Sequence, residues 1–257
     1  MKLIFSNYVL IFNLFIFAGN ITAGEIHVAA ATSLTHVLEE ISRQFSKESG
    51  HTLKISYASS GTLTHQIMQG APFDIFLSAN KEYTDLLTEK GFTRSEGRIY
   101  GYGYLVLFIP ESSNLGNLVG HTGPDQILKS DSLQKLVIAN PQHAPYGYIA
   151  KQYLQNIGMW NDVYRKIVFA NNASQATQFG LSGVADAAFL PLSQIKVMKT
   201  GNNERFILIN PADYEPLKQV MVLMRQAGQA SVEFQDFILG KKGQDILASY
   251  GFAKTGL

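Results

Sequence analysis

The chain has 257 residues, enough for one large core or two of ordinary size, and its 46% hydrophobic and 16% charged content excludes extended disorder. A formal net charge of +1 gives no electrostatic case for a nucleic-acid partner. With no cysteine, the chain has no disulfide, thiolate metal site, cysteine nucleophile or lipid-bearing cysteine.

Residues 1–23 read as a secretory signal. Lys2 supplies the positive charge, Tyr8 to Phe17 (YVLIFNLFIF) the short apolar run, and Ile21-Thr22-Ala23 a cleavage site before Gly24. The run is shorter than the roughly 20 residues that span a bilayer, which favours cleavage over an uncleaved anchor. The mature chain then carries 20 Lys and Arg against 20 Asp and Glu, a net charge of zero, and is expected to be free in a bacterial periplasm.

Glu25 to Ala31 (EIHVAAA) is an apolar run of strand length, and after Thr32-Ser33 the residues Leu34, Val37, Leu38, Ile41 and Phe45 recur at helical spacing. Thr32 and Ser33 stand where an N-cap belongs, with Glu39 and Glu40 early in the helix. A cap is a sufficient account of either hydroxyl; an anion held at the helix start is the other account. The pattern repeats: Leu53 to Tyr57 (LKISY) alternates like a strand, Ala58-Ser59-Ser60-Gly61-Thr62 turns, and Leu63, Ile67 and Met68 mark a short helix. Ala71 to Ser78 (APFDIFLS) gives a third strand.

Tyr100 to Pro110 (YGYGYLVLFIP) reads as a strand passing from one sheet into another. A second block follows: Leu136-Val137-Ile138 runs into Asn140 to Gly147 and a helix from about Tyr148 to Gln155, and Ile167-Val168-Phe169 runs into Asn171 to Ser174 and another helix start. Ala187 to Pro191 is a short strand, Gln219 to Met224 returns to the first sheet, and helices over Ser231 to Leu239 and Gly243 to Ser249 close the chain. The expectation is an α/β protein of two lobes, each a mostly parallel sheet flanked by helices, joined by two crossover connections. Lobe 1 comprises 24–103 and 217–257, and lobe 2 comprises 104–216.

Four strand-to-helix turns, two from each lobe, face the cleft in this arrangement. Helix N-termini carry unpaired N–H groups and partial positive charge, and these turns hold hydroxyls and amides but no Lys or Arg. A cage of neutral donors suits a compact tetrahedral oxyanion better than a carboxylate, which favours a planar guanidinium fork.

Ala29 to Leu34, Ala58 to Thr62, Ala71 to Ala79, Asn140 to Gly147 and Gly243 to Phe252 (GQDILASYGF), in order through nearly the whole mature chain, resemble the periplasmic molybdate-binding proteins of ABC importers. The resemblance implies a type II periplasmic binding fold that closes on molybdate and also tungstate, with the metal bound only as its oxyanion and no cofactor. It implies hydroxyl ligands at Ser33 and Ser60, with Thr32 contributing in part of the family and Ser59 adjoining, and backbone N–H donors at Tyr146 and Ala173. Some members place a tyrosine hydroxyl on the anion where this chain has Leu190 followed by Pro191, so either Tyr146 compensates from the neighbouring loop or the pocket prefers another oxyanion. The implied partners are the membrane permease and ATPase of an ABC importer, with the binding protein itself a monomer.

Two alternatives stand beside this reading. One is a binding protein for sulfate, phosphate or a small organic anion, although the matched turns offer no carboxylate to accept a phosphate's own proton. The other is an exported serine hydrolase, but neither Ser33 nor Ser60 lies in G-x-S-x-G and no enzyme is expected. The six histidines show no HExxH spacing and are expected to make local hydrogen bonds, as is Asp74; Tyr100, Tyr102 and Tyr104 read as strand packing.

Overall fold

The computed structural model describes residues 24–197 and 205–254; the expected signal, residues 1–23, lies outside them. β1 (Glu25–Ala31) runs through a 3₁₀ turn (Thr32–Leu34) into α1 (Thr35–Ser49), β2 (Thr52–Ala58) into α2 (Ser60–Met68), and β3 (Ile75–Ser78) precedes α3 (Lys81–Glu89). β4 (Arg98–Gly103) leads through Tyr104 to β5 (Leu105–Phe108), followed by α4 (Pro124–Lys129), β6 (Leu136–Ala139), α5 (Pro145–Asn156) and α6 (Trp160–Val163). Then come β7 (Ile167–Ala170), α7 (Ala173–Leu181), β8 (Ala187–Pro191), α8 (Leu192–Ile195) and β9 (Phe206–Leu208), before β10 (Leu217–Leu223), α9 (Gln229–Leu239) and α10 (Lys241–Ser249).

The strands form two five-stranded sheets, in the orders β2-β1-β3-β10-β4 and β7-β6-β8-β5-β9. In the first, β1 pairs in parallel with β2 and β3, and β10 is antiparallel to both β3 and β4. In the second, β6 pairs in parallel with β7 and β8, and β5 is antiparallel to both β8 and β9. Each sheet thus has four strands pointing one way and one reversed strand, and in each the reversed strand is the one that carries the chain over from the other sheet. A two-lobed α/β fold of mostly parallel sheets results, with strand carboxyl ends gathered on one side of each lobe.

Some elements differ from the sequence expectation for identifiable reasons. Ala71 to Asp74 is not strand: the Asp74 carboxylate accepts the His27 N–H at 2.8 Å and the Asp74 carbonyl accepts the Met224 N–H at 2.9 Å, so this stretch is pinned beside β1 and β10 without continuous pairing. The α5 helix begins at Pro145 rather than Tyr148, because proline at the first helical position lacks only an N–H that would be unpaired anyway. α3, capped by Asn80 through the Glu82 N–H, and the short β9 are elements to which the sequence reading assigns nothing. Glu39 and Glu40 fall beyond the first turn of α1, which holds no acidic residue.

One continuous cluster of buried apolar side chains runs between the lobes, from Ile26, Leu34 and Leu38 to Tyr146, Ile149 and Phe189. Each fully buried Leu, Ile or Phe contributes about 1.5–3 kcal/mol. Side chains of adjacent strand residues point to opposite faces, and Leu190 beside Phe189 packs instead into a second cluster with Val106 and Ala188.

The start of α5 presses onto the end of β6 so closely that a Cβ at Gly147 would overlap the Ala139 carbonyl. Gly147→Ala is therefore expected to lower the unfolding free energy by about 1–3 kcal/mol in urea titrations followed by circular dichroism. An unchanged midpoint would show that this helix start has room to spare.

Candidate functional site

Strand carboxyl ends from both sheets converge where the lobes meet. The first lobe brings Thr32 and Ser33 after β1, Ser59 and Ser60 after β2, and Ser78 and Ala79 at the end of β3; the second brings Tyr146 after β6, Ala173 and Ser174 after β7, and Ser193 and Gln194 after β8. Two groups of hydrogen bonds join the lobes here. In one, Ser174 Oγ (3.1 Å) and Gln194 Nε2 (2.6 Å) donate to the Thr32 carbonyl and Ser193 Oγ donates to the Ser33 carbonyl (2.9 Å). In the other, the Gly61 N–H donates to the His143 carbonyl at 3.0 Å and Ser59 Oγ pairs with His143 Nδ1 at 3.0 Å.

The cap reading of Thr32 and Ser33 does not hold. The N-cap positions of the 3₁₀ turn and of α1 are Ala31 and Leu34, and neither makes a side-chain cap bond. Ser33 is 3% exposed and its Oγ has no hydrogen-bond partner. Ser60 is fully buried, and its Oγ accepts the Ala79 N–H at 3.0 Å, which leaves its own proton free to donate. Ser59 is the true cap of α2, accepting the Thr62 N–H.

From the second lobe, Tyr146 is the second residue of α5 and Ala173 the first of α7, so each presents a main-chain N–H with no carbonyl one turn back. The α7 cap, Asn172, spends its side chain on the Gln175 N–H and leaves that of Ala173 free. The Tyr146 hydroxyl is buried without a partner. The Ser33 and Ser193 hydroxyls stand close enough to it to favour its ionised form slightly, but neither closes an aligned bond. Burial pushes its ionisation strongly upward, with the neighbouring Tyr214 phenol adding to the shift, so at neutral pH the Tyr146 phenol is a donor.

Thr32 takes a different part. Its carbonyl is engaged across the lobes and its Oγ1 accepts the Ser174 N–H at 3.4 Å, which places it at the seam rather than at the centre. Leu190 is not brought into the group, since it faces the second apolar cluster on the other side of its strand. Sequence reasoning misses Ser193, Gln194 and His143. The position of the first two, just past the carboxyl end of β8, was a usable signal; the contact of His143 with Gly61 and Ser59 was not, because it exists only once the lobes meet.

The convergent free groups are thus uncharged donors: hydroxyls of Ser33, Ser60 and Tyr146 and the N–H groups of Tyr146 and Ala173. Such a set, buried and without Lys or Arg, is complementary to a small anion, and the serine of the neighbouring Ser59–His143 contact is the one that caps α2. A cavity of about 640 Å³ adjoins it, bordered by Thr32, His36, Asn172, Ser174 and Gln194. Among the described residues, no three His, Asp or Glu side chains gather as a metal site. His27 pairs with Glu25 and His51 with Gly24 and Glu233, the local roles expected.

The family model described as bacterial extracellular solute-binding protein matches residues 26–253. The chain is 32% identical over 235 residues to the molybdate-binding protein ModA of Azotobacter vinelandii, covering 90% of each chain. It is 31% identical over 234 residues to the ModA of Rhodobacter capsulatus, covering 90% of this chain and 88% of that one. The solved structure of the Azotobacter vinelandii periplasmic molybdate-binding protein superposes with a TM-score of 0.82 at 29% identity, over 90% of this chain and all of that one.

A hydroxyl without a partner adds nothing to folding, whereas a cap does. Thermal melts without added anion are expected to show Ser33→Ala unchanged or slightly more stable, and Ser59→Ala less stable by about 1 kcal/mol. A loss in Ser33→Ala as large as that in Ser59→Ala would restore the cap reading.

Proposed function

The chain belongs to the bacterial extracellular solute-binding protein family, and on that premise we propose that it captures molybdate, and also tungstate, between its lobes and delivers the anion to the membrane permease and ATPase of an ABC importer. The observation that carries the reading is the buried, uncharged donor set around Ser33, contributed by helix starts of both lobes. The ligand groups are the hydroxyls of Ser33 and Ser60 and the N–H groups of Tyr146 and Ala173, with Thr32 at the rim and Ser59 holding the α2 start behind Ser60. The protein works as a monomer in the periplasm after loss of residues 1–23. Sheet membership supports lobe limits of 24–103 with 217–257 and of 104–216, the crossings falling at Tyr104 and before Leu217.

Binding proceeds by closure. The anion meets hydroxyls of the first lobe, the lobes rotate about the two crossings, and the α5 and α7 starts complete the cage. The bonds from Ser174, Ser193 and Gln194 to the Thr32 and Ser33 carbonyls then hold the closed form. They also tie down carbonyl oxygens that would otherwise be free to face an anion. The Tyr146 phenol fills the role of the tyrosine that this chain lacks at Leu190, since it reaches the same buried point as Ser33 and remains protonated there. Molybdate and sulfate are both divalent tetrahedra, so cavity size sets the choice between them.

Calorimetry on residues 24–257 with molybdate, tungstate, sulfate and phosphate is expected to show tight 1:1 binding of the first two and little response to the others. A folded sample that binds neither metal oxyanion overturns the proposal, and one that prefers sulfate or phosphate replaces it with the corresponding anion. Ser33→Ala combined with Ser60→Ala is expected to weaken binding by about 3–6 kcal/mol, at roughly 1.5–3 kcal/mol for each hydroxyl bond to a charged group, with a much smaller effect on melting temperature. Tyr146→Phe is expected to weaken binding about tenfold or more by the same arithmetic; unchanged affinity would show that the hydroxyl does not compensate for Leu190.

A further inference from the structure

Three buried side-chain polar atoms have no hydrogen-bond partner among the described residues: Ser33 Oγ, Tyr146 Oη and Gln219 Oε1. The first two belong to the donor set already described, and Gln219 does not. It is wholly buried in β10, opposite Gly101 of β4 and at the point where the register of that pair slips.

The Gln219 Nε2 donates to the Leu217 carbonyl at 3.2 Å. This bond sets the orientation of the amide, because turning it over would put Oε1 against a carbonyl oxygen. Tyr146 reaches the same place from the opposite lobe. A Cβ at Gly103 would overlap the Tyr146 hydroxyl and would stand 2.9 Å from Gln219 Nε2. By having no side chain, Gly103 leaves the space that the phenol oxygen of one lobe occupies and that the amide nitrogen of the other borders. Nε2 has two hydrogens, of which Leu217 takes one.

Keeping Gln219 is unfavourable for folding. A buried acceptor without a donor carries its desolvation penalty unrelieved, and a methionine would fill a similar volume with no polar atom to satisfy. We propose that Gln219 is a positioning residue for oxyanion binding: once an anion is in the cleft, its second amide N–H holds the phenol oxygen of Tyr146, and the phenol proton is thereby directed to the oxyanion. The assignment rests on the oxyanion-binding function proposed above. Gln219 does not touch the anion itself; a phenol whose oxygen accepts from an amide is a fixed and stronger donor.

A double-mutant cycle tests this, with calorimetry on whichever tetrahedral oxyanion the unaltered protein binds and thermal melts without it. Gln219→Met is expected to weaken binding about tenfold, the worth of one hydrogen bond, while the melting temperature stays level or rises. In a Tyr146→Phe background the same change is expected to alter affinity less than about twofold, since the group it acts through is gone. Gln219→Glu keeps the shape but lacks the amide hydrogens, and is expected to lose at least as much affinity as Gln219→Met. Equal losses in both backgrounds, unaltered affinity in Gln219→Glu, or a fall in melting temperature with no loss of affinity overturns the assignment and leaves the functional proposal standing. An unaltered protein that binds no oxyanion overturns both.

Discussion

A hydrogen-bond donor kept dry and unpaired is costly, and this fold keeps several of them around one point. The N–H groups at the starts of α5 and α7, and the hydroxyls of Ser33 and Tyr146, have no resident acceptor. The other features of the cleft follow from that constraint. Carbonyl oxygens that would otherwise neutralise these donors are held elsewhere, those of Thr32 and Ser33 by side chains of the second lobe. Charged side chains are absent from the group, so the binding free energy comes from dipoles and hydroxyls whose orientation is fixed by helix starts, with no guanidinium or ammonium to desolvate.

The two sheets supply these donors in the same way. Each has three parallel strands ending at the cleft and one reversed strand delivered by the other lobe. The reversed strands, β5 and β10, each follow directly on a crossing, so any rotation of one lobe against the other turns on residues that lead straight into a paired strand. Tyr104 illustrates the coupling: its carbonyl accepts the Leu192 N–H at the start of α8, the helix whose Ser193 and Gln194 close onto the first lobe.

Much of the fold was legible because its signals are local. EIHVAAA and LKISY are strands where apolar period and length say so, and the crossing between the sheets lies in YGYGYLVLFIP, where glycine punctuation gives way to a continuous apolar run. The site was legible as a pattern of hydroxyls after strands, but not in its details. Thr32 and Ser33 look like caps in the sequence because capping residues and anion-binding hydroxyls are the same residue types at the same offset; what tells them from caps is a buried Ser33 hydroxyl without a partner and a Thr32 hydroxyl engaged by the other lobe. Ser59 caps α2 while the adjacent Ser60 keeps a buried hydroxyl proton free to donate, a division that no composition could reveal. Gln219 and Gly103 were beyond reach altogether. Each reads as an ordinary strand residue until Tyr146 arrives from the other lobe.

The lobes grip one another largely by backbone. Three side chains of the second lobe end on the carbonyls of Thr32 and Ser33, and the Gly61 amide ends on the carbonyl of His143. Every amino acid has that carbonyl, so these bonds are indifferent to which side chain stands at residues 32 and 33; of the two side chains only Thr32 adds to the grip, through the long bond that its Oγ1 accepts from the Ser174 N–H. Closing and choosing are thereby separable traits. Substitutions among the free donors can alter what the cleft accepts while the bonds that join the lobes stay as they are.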